Sequence, residues 1–531
     1  MNSQLIILDF GSQYTQLIAR TVRELGVYCE ILPGNAKAEI VLGKNPKALI
    51  LSGGPSSVRS AEGPRAAKEI FSLGIPILGV CYGMQLMAQE LGGEVGGWGR
   101  DATGASASDV GGKGGSDGMR EFGAAEVRIT KPVGPFGFAG PGEKLAVWMS
   151  HGDKVVKCPP GFSAVAESDG SPVAAFGDEH RRFFGVQFHP EVHHTPRGKE
   201  LFSRFLFETA GLRKDWDASG FIEETVTRLK SQVATGNVVC GLSGGVDSTV
   251  AAVLVHQAIG KRLHCIFVDN GLLRDNEAEE VLQSMEGLGL QVHFVDASER
   301  FLTALSGVPD PEKKRKIIGH VFIDVFEEEA NRISDVRYLV QGTLYPDVIE
   351  SVSVVGKSAT IKSHHNVGGL KENMKLDLIE PLRELFKDEV RTIGRKLGTP
   401  DRLLDRQPFP GPGLAVRCLG DLTAERLKKL RKADRIVTDE IRAAGLEKDI
   451  WQSFAVLLPV QSVGVMGDGR TFDEAIGIRA VTSRDGMTAD WVYLPEPLLR
   501  RISTRIVNET PGVNRVVLDI SSKPPATIEW E

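Results

Sequence analysis

The sequence predicts an α/β protein, with two doubly wound parallel-sheet domains followed by a smaller α+β domain. Three observations carry that prediction. Through the first third, short apolar runs alternate with amphipathic stretches, the pattern of buried parallel strands and covering helices. The alternation starts afresh near Phe221 and continues until a Pro/Gly-rich stretch beginning at Arg406. The remaining residues mix one long helical pattern with strand-like runs instead of alternating them.

The first domain, residues 1–207, holds candidate strands at Leu5–Asp9, Ala48–Leu51, Ile75–Val80 and Phe183–Phe188, with an amphipathic helix at Thr15–Leu25. Residues Val95–Gly118 break the pattern. They are rich in Gly, Ser and Ala and carry almost no large apolar side chains, so 95–118 is expected to be a mobile insertion. The second domain, 208–405, opens with a helix at Phe221–Leu229. A buried strand at Asn237–Leu242 follows, then a Gly-rich loop and a long apolar helix. Further strands at Leu263–Val268, ending in Asp269-Asn270-Gly271, and at Val292–Val295 complete a doubly wound reading. The prolines and glycines of Arg406–Gly413 exclude regular structure and mark its end. In the third, 406–531, Ala424–Ala443 reads as a helix, and Phe454–Val460 and Arg515–Asp519 as strands. There is no internal repeat.

Composition excludes several classes. At 531 residues the chain has room for about three domains. Hydrophobic residues at 41% rule out disorder of the whole chain. A net charge of −6 gives no global attraction to nucleic acid. No run approaches a membrane span, and the N-terminus lacks the basic start of a signal peptide, so neither membrane nor secretion is expected. Six scattered cysteines without a CxxC argue against a disulfide framework or zinc ribbon, and for a cytoplasmic setting.

The first chemical motif is Gly79-Val80-Cys81-Tyr82-Gly83, between a strand and the helical run from Met84. A nucleophile at the tip of a strand–turn–helix elbow has this form, and the helix N-terminus favours a thiolate. Alone, the motif also suits a buried cysteine at a strand end. His189-Pro190-Glu191 adds weight. In extended chain, His189 and Glu191 share a face, so the carboxylate can hold an imidazole that accepts the thiol proton. Metal binding with His193 and His194 is disfavoured, because Pro190 breaks helical ligand spacing. Ser52-Gly53-Gly54-Pro55 follows another strand, and its adjacent amides can supply half of an oxyanion hole.

The second motif, Ser243-Gly244-Gly245-Val246-Asp247-Ser248-Thr249, joins a buried strand to a helix. Its glycines let backbone N–H groups crowd against phosphate at a helix N-terminus. It is not a Walker A loop. The basic run Lys313–Lys316 reads by itself as a solvated helix face. Ile361–Asn366, followed by Gly368 and Gly369, reads as a hinged lid rather than a metal site.

The Cys81 elbow, Ser52–Pro55, Gln187-Phe188-His189-Pro190-Glu191 and Met149–Asp153, in their order, resemble the class I glutamine amidotransferase family. That resemblance implies glutamine hydrolysis, with Cys81, His189 and Glu191 catalytic and with Gly53, Gly54, Tyr82 and Gln85 around the oxyanion and glutamine. The loop Ser243–Thr249 resembles the pyrophosphate loop of the ATP pyrophosphatases, which adenylate a carbonyl oxygen. The stretches Gln341–Ser351, Ile361–Gly369, Pro408–Gly413 and Ser522–Glu531 are similar to the glutamine-hydrolysing GMP synthase family over essentially the whole chain, except Val95–Gly118. The implied partners are glutamine, ATP with Mg²⁺, and XMP. Arg315, Gln452, Lys523 and Glu529 are then expected at XMP, where cations suit phosphate and the amide and carboxylate suit ribose or base. The third domain is implied to make a homodimer. The Mg²⁺ ligands stay unassigned.

Overall fold

The computed structural model describes residues 4–97, 121–352, 376–466, 469–483 and 488–531. The expected lid at 361–369 and most of the expected insertion, 98–118, lie outside these residues. Two compact units divide the chain, the first containing Met1–Asp217 and the second Ala218–Val348 and Ala359–Glu531.

The first unit has β1 (Leu5–Asp9), β2 (Cys29–Pro33), β3 (Ala48–Leu51), β4 (Ile77–Val80), β5 (Glu94–Gly96), β6 (Glu121–Ile129), β7 (Lys144–His151), β8 (Lys154–Lys157), β9 (Ser163–Glu167), β10 (Ala175–Asp178) and β11 (Phe183–Val186). Nine of these form one sheet in the order β2-β1-β3-β4-β11-β10-β9-β6-β7. The strands from β2 to β11 in that order run parallel, as the continuous apolar runs require. The four beyond them pair antiparallel. Of these, β6 was not legible as a strand, because it alternates exposed and half-buried residues and only Val127 and Ile129 are buried. One boundary is corrected: Val95 and Gly96 are not loop but belong to β5, which pairs with β8. Two-strand hydrogen bonding holds them where composition alone suggested freedom.

The second unit has β12 (Asn237–Leu242), β13 (Leu263–Asp269), β14 (Gln291–Asp296), β15 (Val336–Val340) and β16 (Asp377–Ile379), then β17 (Gln452–Met466), β18 (Gly469–Thr482), β19 (Asp490–Trp491) and β20 (Val513–Leu518). The first five form an all-parallel sheet in the order β14-β13-β12-β15-β16. The chain winds outward from β12 through β14, then crosses back to β15, so the end of β12 is a topological switch point. β17, β18 and β19 pair antiparallel, and β20 adds parallel to β18. The helix Ala424–Ala443 starts where Thr423 accepts a bond from the Arg426 amide at 3.2 Å. Its face of Leu427, Leu430, Ile436 and Val437 packs into a core continuous with Val239 and Ile266 of the parallel sheet and Ile476 of β18. Among the described residues, no helix is long and apolar enough to cross a membrane.

Candidate active site

In the first unit, β4 delivers Cys81 to a turn that only small flanking residues permit. Cys81 itself has φ +49°. A Cβ at Gly83 would lie 2.3 Å from the Leu51 carbonyl oxygen, and one at Gly79 would lie 2.7 Å from the Met84 nitrogen. The Cys81 amide bonds to the Val186 carbonyl at 2.7 Å, and that of Gly83 to the Ser52 carbonyl at 2.9 Å. The elbow is thereby tied to the ends of β11 and β3, the two neighbours of β4.

β11 also carries the chain to His189. Its amide bonds to the Trp148 carbonyl at 2.9 Å, and Thr195 Oγ1 bonds to its carbonyl at 2.7 Å, so the backbone is fixed on both sides. His189 Nδ1 lies 2.7 Å from Glu191 Oε1, with both side chains buried. The Cys81 side chain is near enough to act electrostatically on the ring. Burial pushes the His189 imidazole down, but the Glu191 carboxylate and Cys81 outweigh it and hold it well above its ordinary value. The structure therefore brings together the three side chains expected from sequence.

Around Cys81, its Sγ meets the Ser150 carbonyl at 3.7 Å and receives Gln187 Nε2 at 3.7 Å. Gln85 Nε2 donates to the Asp153 carbonyl at 2.7 Å. Gly53 lies against the His189 ring, where an added Cβ would stand 3.2 Å from Cε1. An added Cβ at Gly54 would stand 2.7 Å from the Phe10 carbonyl oxygen. Tyr82 contributes differently from the rest of its set. Its hydroxyl donates to the Pro64 carbonyl at 2.6 Å and its ring is in the core, so only its backbone faces the elbow. His194 stacks on Trp148 and lies tilted against His193, and no group among the described residues is arranged to hold a metal.

In the second unit, Ser243–Thr249 occupies the switch point after β12. Gly245 caps the helix Val246–Ile259, and Gly244 has φ +71°. Ser243 Oγ and Ser248 Oγ lie 3.2 Å apart, and Thr249 Oγ1 returns to the Gly245 carbonyl at 2.8 Å. Asp247 Oδ2 pairs with Lys387 Nζ at 3.1 Å, while its buried Oδ1 has no partner among the described residues. Arg406 donates to the Gly244 carbonyl at 3.0 Å and pairs with Glu277. Burial, with the nearby Arg274 cation, lowers Arg406 to about 10. Lys387 and Arg406 carry no local motif, and sequence reading missed both.

The four residues expected at XMP separate into groups. Gln452 Nε2 bonds to Glu529 Oε1 at 3.0 Å and to the Pro408 carbonyl at 2.9 Å. Arg315 donates to the Glu531 carbonyl oxygen at 2.6 Å. Lys523 is held by paired backbone bonds with Ala489, 2.7 and 3.0 Å. Sequence reading missed the groups that set this tail. Arg417, fully buried, grips Glu529 with Nε at 3.0 Å and Nη2 at 2.8 Å, and stacks over Phe454 at 3.9 Å. Arg479, also fully buried, donates to the carbonyls of Ser521 and Thr527 at 2.6 and 3.1 Å. The solvated-face reading of Lys313–Lys316 fails at Lys314. That residue is fully buried, with Nζ on the Ala415 and Cys418 carbonyls and on Glu531.

Comparison with known proteins agrees with this division. Residues 6–209 match the family model described as glutamine amidotransferase class-I, 218–318 the one described as NAD synthase, and 439–530 the GMP synthase C terminal domain. GMP synthase [glutamine-hydrolyzing] of Maridesulfovibrio salexigens is 55% identical over 531 residues, covering 100% of this chain and 99% of that protein. Its counterpart in Phenylobacterium zucineum is 55% identical over 533 residues, with coverage of 100% and 99%. That of Pelodictyon phaeoclathratiforme is 56% identical over 533 residues, with coverage of 99% for both. A cysteine elbow backed by a buried His–Glu pair, a phosphate-type loop at a switch point and full-length similarity all lead to one assignment: the chain belongs to the glutamine-hydrolyzing GMP synthase family.

Proposed function

We propose that the chain makes GMP from XMP with ATP and glutamine, and that the residues described above carry the two half-reactions. The single observation that carries the glutaminase assignment is the Cys81–His189–Glu191 arrangement at the strand–helix elbow. His189 takes the Cys81 proton as sulfur attacks the glutamine carboxamide carbon. The same ring returns the proton to nitrogen as ammonia leaves, and water then cleaves the glutamyl thioester to glutamate. Glu191 holds the ring through Nδ1 and stabilises the imidazolium. The amides of Gly53, Gly54 and Tyr82 receive the oxyanion in this reading, and Gln85 lines the glutamine pocket.

In the second unit, the loop Ser243–Thr249 and its helix N-terminus cradle the ATP phosphates. The XMP C2 oxygen attacks the α-phosphate, pyrophosphate departs, and ammonia then displaces AMP at C2. Asp247 suits Mg²⁺: its partnerless buried Oδ1 is an oxygen donor of the type a hard cation takes. The ion would supply charge neutralisation to the triphosphate. Gln452 and Glu529 are assigned to the XMP ribose or base, and Arg315 and Lys523 to its phosphate. Domain limits of 1–207, 208–405 and 406–531 follow this division of labour. A cytoplasmic homodimer completes the reading. Exposed Val463, Val465 and Phe472 on the β17–β18 hairpin support self-association.

The test supplies XMP, ATP and Mg²⁺ with either glutamine or an ammonium salt. Wild type should form GMP from both. Cys81→Ala should lose glutamine-driven synthesis and keep the ammonium-driven reaction. Undiminished glutamine use by Cys81→Ala would remove that residue from the mechanism.

A further inference from the structure

The stretch Ser150–Asp153 touches both key side chains of the first site. The Ser150 carbonyl meets Cys81, and the Asp153 carbonyl receives Gln85. Ser150 is fixed by its pairing with Phe122 in the β6–β7 ladder, but Asp153 lies beyond the strand end, past Gly152. The side chain that reaches the Asp153 carbonyl is His151, which ends β7 and is buried. His151 Nδ1 lies 3.1 Å from the same Asp153 carbonyl that Gln85 uses. A carbonyl oxygen only accepts, so Nδ1 donates. On its other side, Nε2 lies 3.1 Å from Glu121 Oε2.

Glu121 stands directly opposite His151 in the β6–β7 ladder. It is held in turn by Ser168 Oγ at 3.0 Å and the Gly170 amide at 3.2 Å. Burial pushes the Glu121 carboxyl up, but the bonds from His151 and Ser168 outweigh it and keep it below its ordinary value. An ionised carboxylate fixes the ring, and the ring fixes the carbonyl. None of these groups reaches Cys81 itself.

We propose that Glu121 and His151 are positioning residues of the glutaminase site, setting the Asp153 carbonyl and through it the Gln85 carboxamide. This rests on the glutaminase reading of that site. The mechanism gives the pair no proton to move, so its loss should act on glutamine capture more than on the chemical step.

The experiment measures KM and kcat for glutamine hydrolysis in the full-length enzyme. The variants are Glu121→Ala, Glu121→Gln, His151→Phe and the double variant Glu121→Ala/His151→Phe. Thermal melting of the full-length enzyme serves as the folding control, because ammonium-driven GMP formation belongs to the second unit. We expect Glu121→Ala and His151→Phe each to raise KM for glutamine about tenfold while kcat falls much less. The double variant should be no worse than the worse single, because both act through one bond chain. Glu121→Gln, which keeps an oxygen toward His151, should recover most of the loss.

Unchanged KM in Glu121→Ala or His151→Phe would overturn the proposal. So would additive losses in the double variant, or a Glu121→Gln enzyme as impaired as Glu121→Ala. If Glu121→Ala melts early and loses glutamine hydrolysis through misfolding, the KM of His151→Phe decides alone, in the same sense. Cys81→Ala, run beside them, separates failures: if it still hydrolyses glutamine, the site reading has failed rather than the positioning role.

Discussion

His189 shows how one residue's surroundings set its behaviour. The Glu191 carboxylate and Cys81 overcome burial and hold its imidazole well above the ordinary value. A group whose folded pKa is raised contributes stability that is fully present below its unfolded value, near 6.5, and is lost as pH rises through the folded value. Glu191→Gln removes the main source of that increase. The variant should therefore unfold more easily than wild type at mildly acidic pH. The gap should close at alkaline pH above the raised His189 value. Urea unfolding of both proteins at the two pH values checks this. An equal gap at both would mean that the pair contributes through packing rather than charge.

At the scale of elements, the tail after β20 is held by buried cations rather than by apolar packing. Arg417 is wholly buried and its bidentate partner Glu529 is only partly exposed. Removing one member of such a pair strands the other, at a cost of about 3 kcal/mol, the lower end of the usual range because Glu529 keeps some contact with water. Arg417→Met should lower unfolding stability by that order and raise the KM for XMP. Denaturant melts and XMP titration of GMP formation measure the two effects. A normal KM for XMP would detach the pair from the nucleotide site.

This is also the scale at which sequence reading divides. The Cys81 elbow, His189–Glu191 and Ser243–Thr249 were legible because each is a local event, a strand running into a tight turn or helix. Glu121 and His151 were not, since 30 residues of sequence separate two groups that only strand register makes neighbours. Lys314 misled for a related reason. A basic run looks solvated until Ala415, Cys418 and Glu531, about a hundred residues or more away, supply its acceptors.

For the whole molecule, the decisive fact is that the two units have separate cores. One runs from Ile6 through Met84 to Phe183, the other from Val239 through Leu427 to Val513. The parallel sheet β12–β16 shares its core with the helix Ala424–Ala443 and the β17–β18 hairpin, so cutting near Arg406 would expose apolar surface. A cut between Asp217 and Ala218 divides neither core. The fragment Ala218–Glu531 should fold cooperatively and make GMP from XMP, ATP and ammonium, with no response to glutamine. Thermal melting and product analysis test it. An insoluble or inactive fragment would show that the second unit depends on the first.

The Cys81 turn has an evolutionary consequence. A non-glycine residue at φ +49° costs of order 1–3 kcal/mol. Glycine would relieve that cost at position 81, whereas any side chain at position 83 would meet the Leu51 backbone. Selection for a sturdier fold alone would push position 81 toward glycine and leave position 83 where it is. Cysteine persists at the tip only while its sulfur is used, so a lineage released from the need for glutamine should lose the nucleophile while keeping the turn.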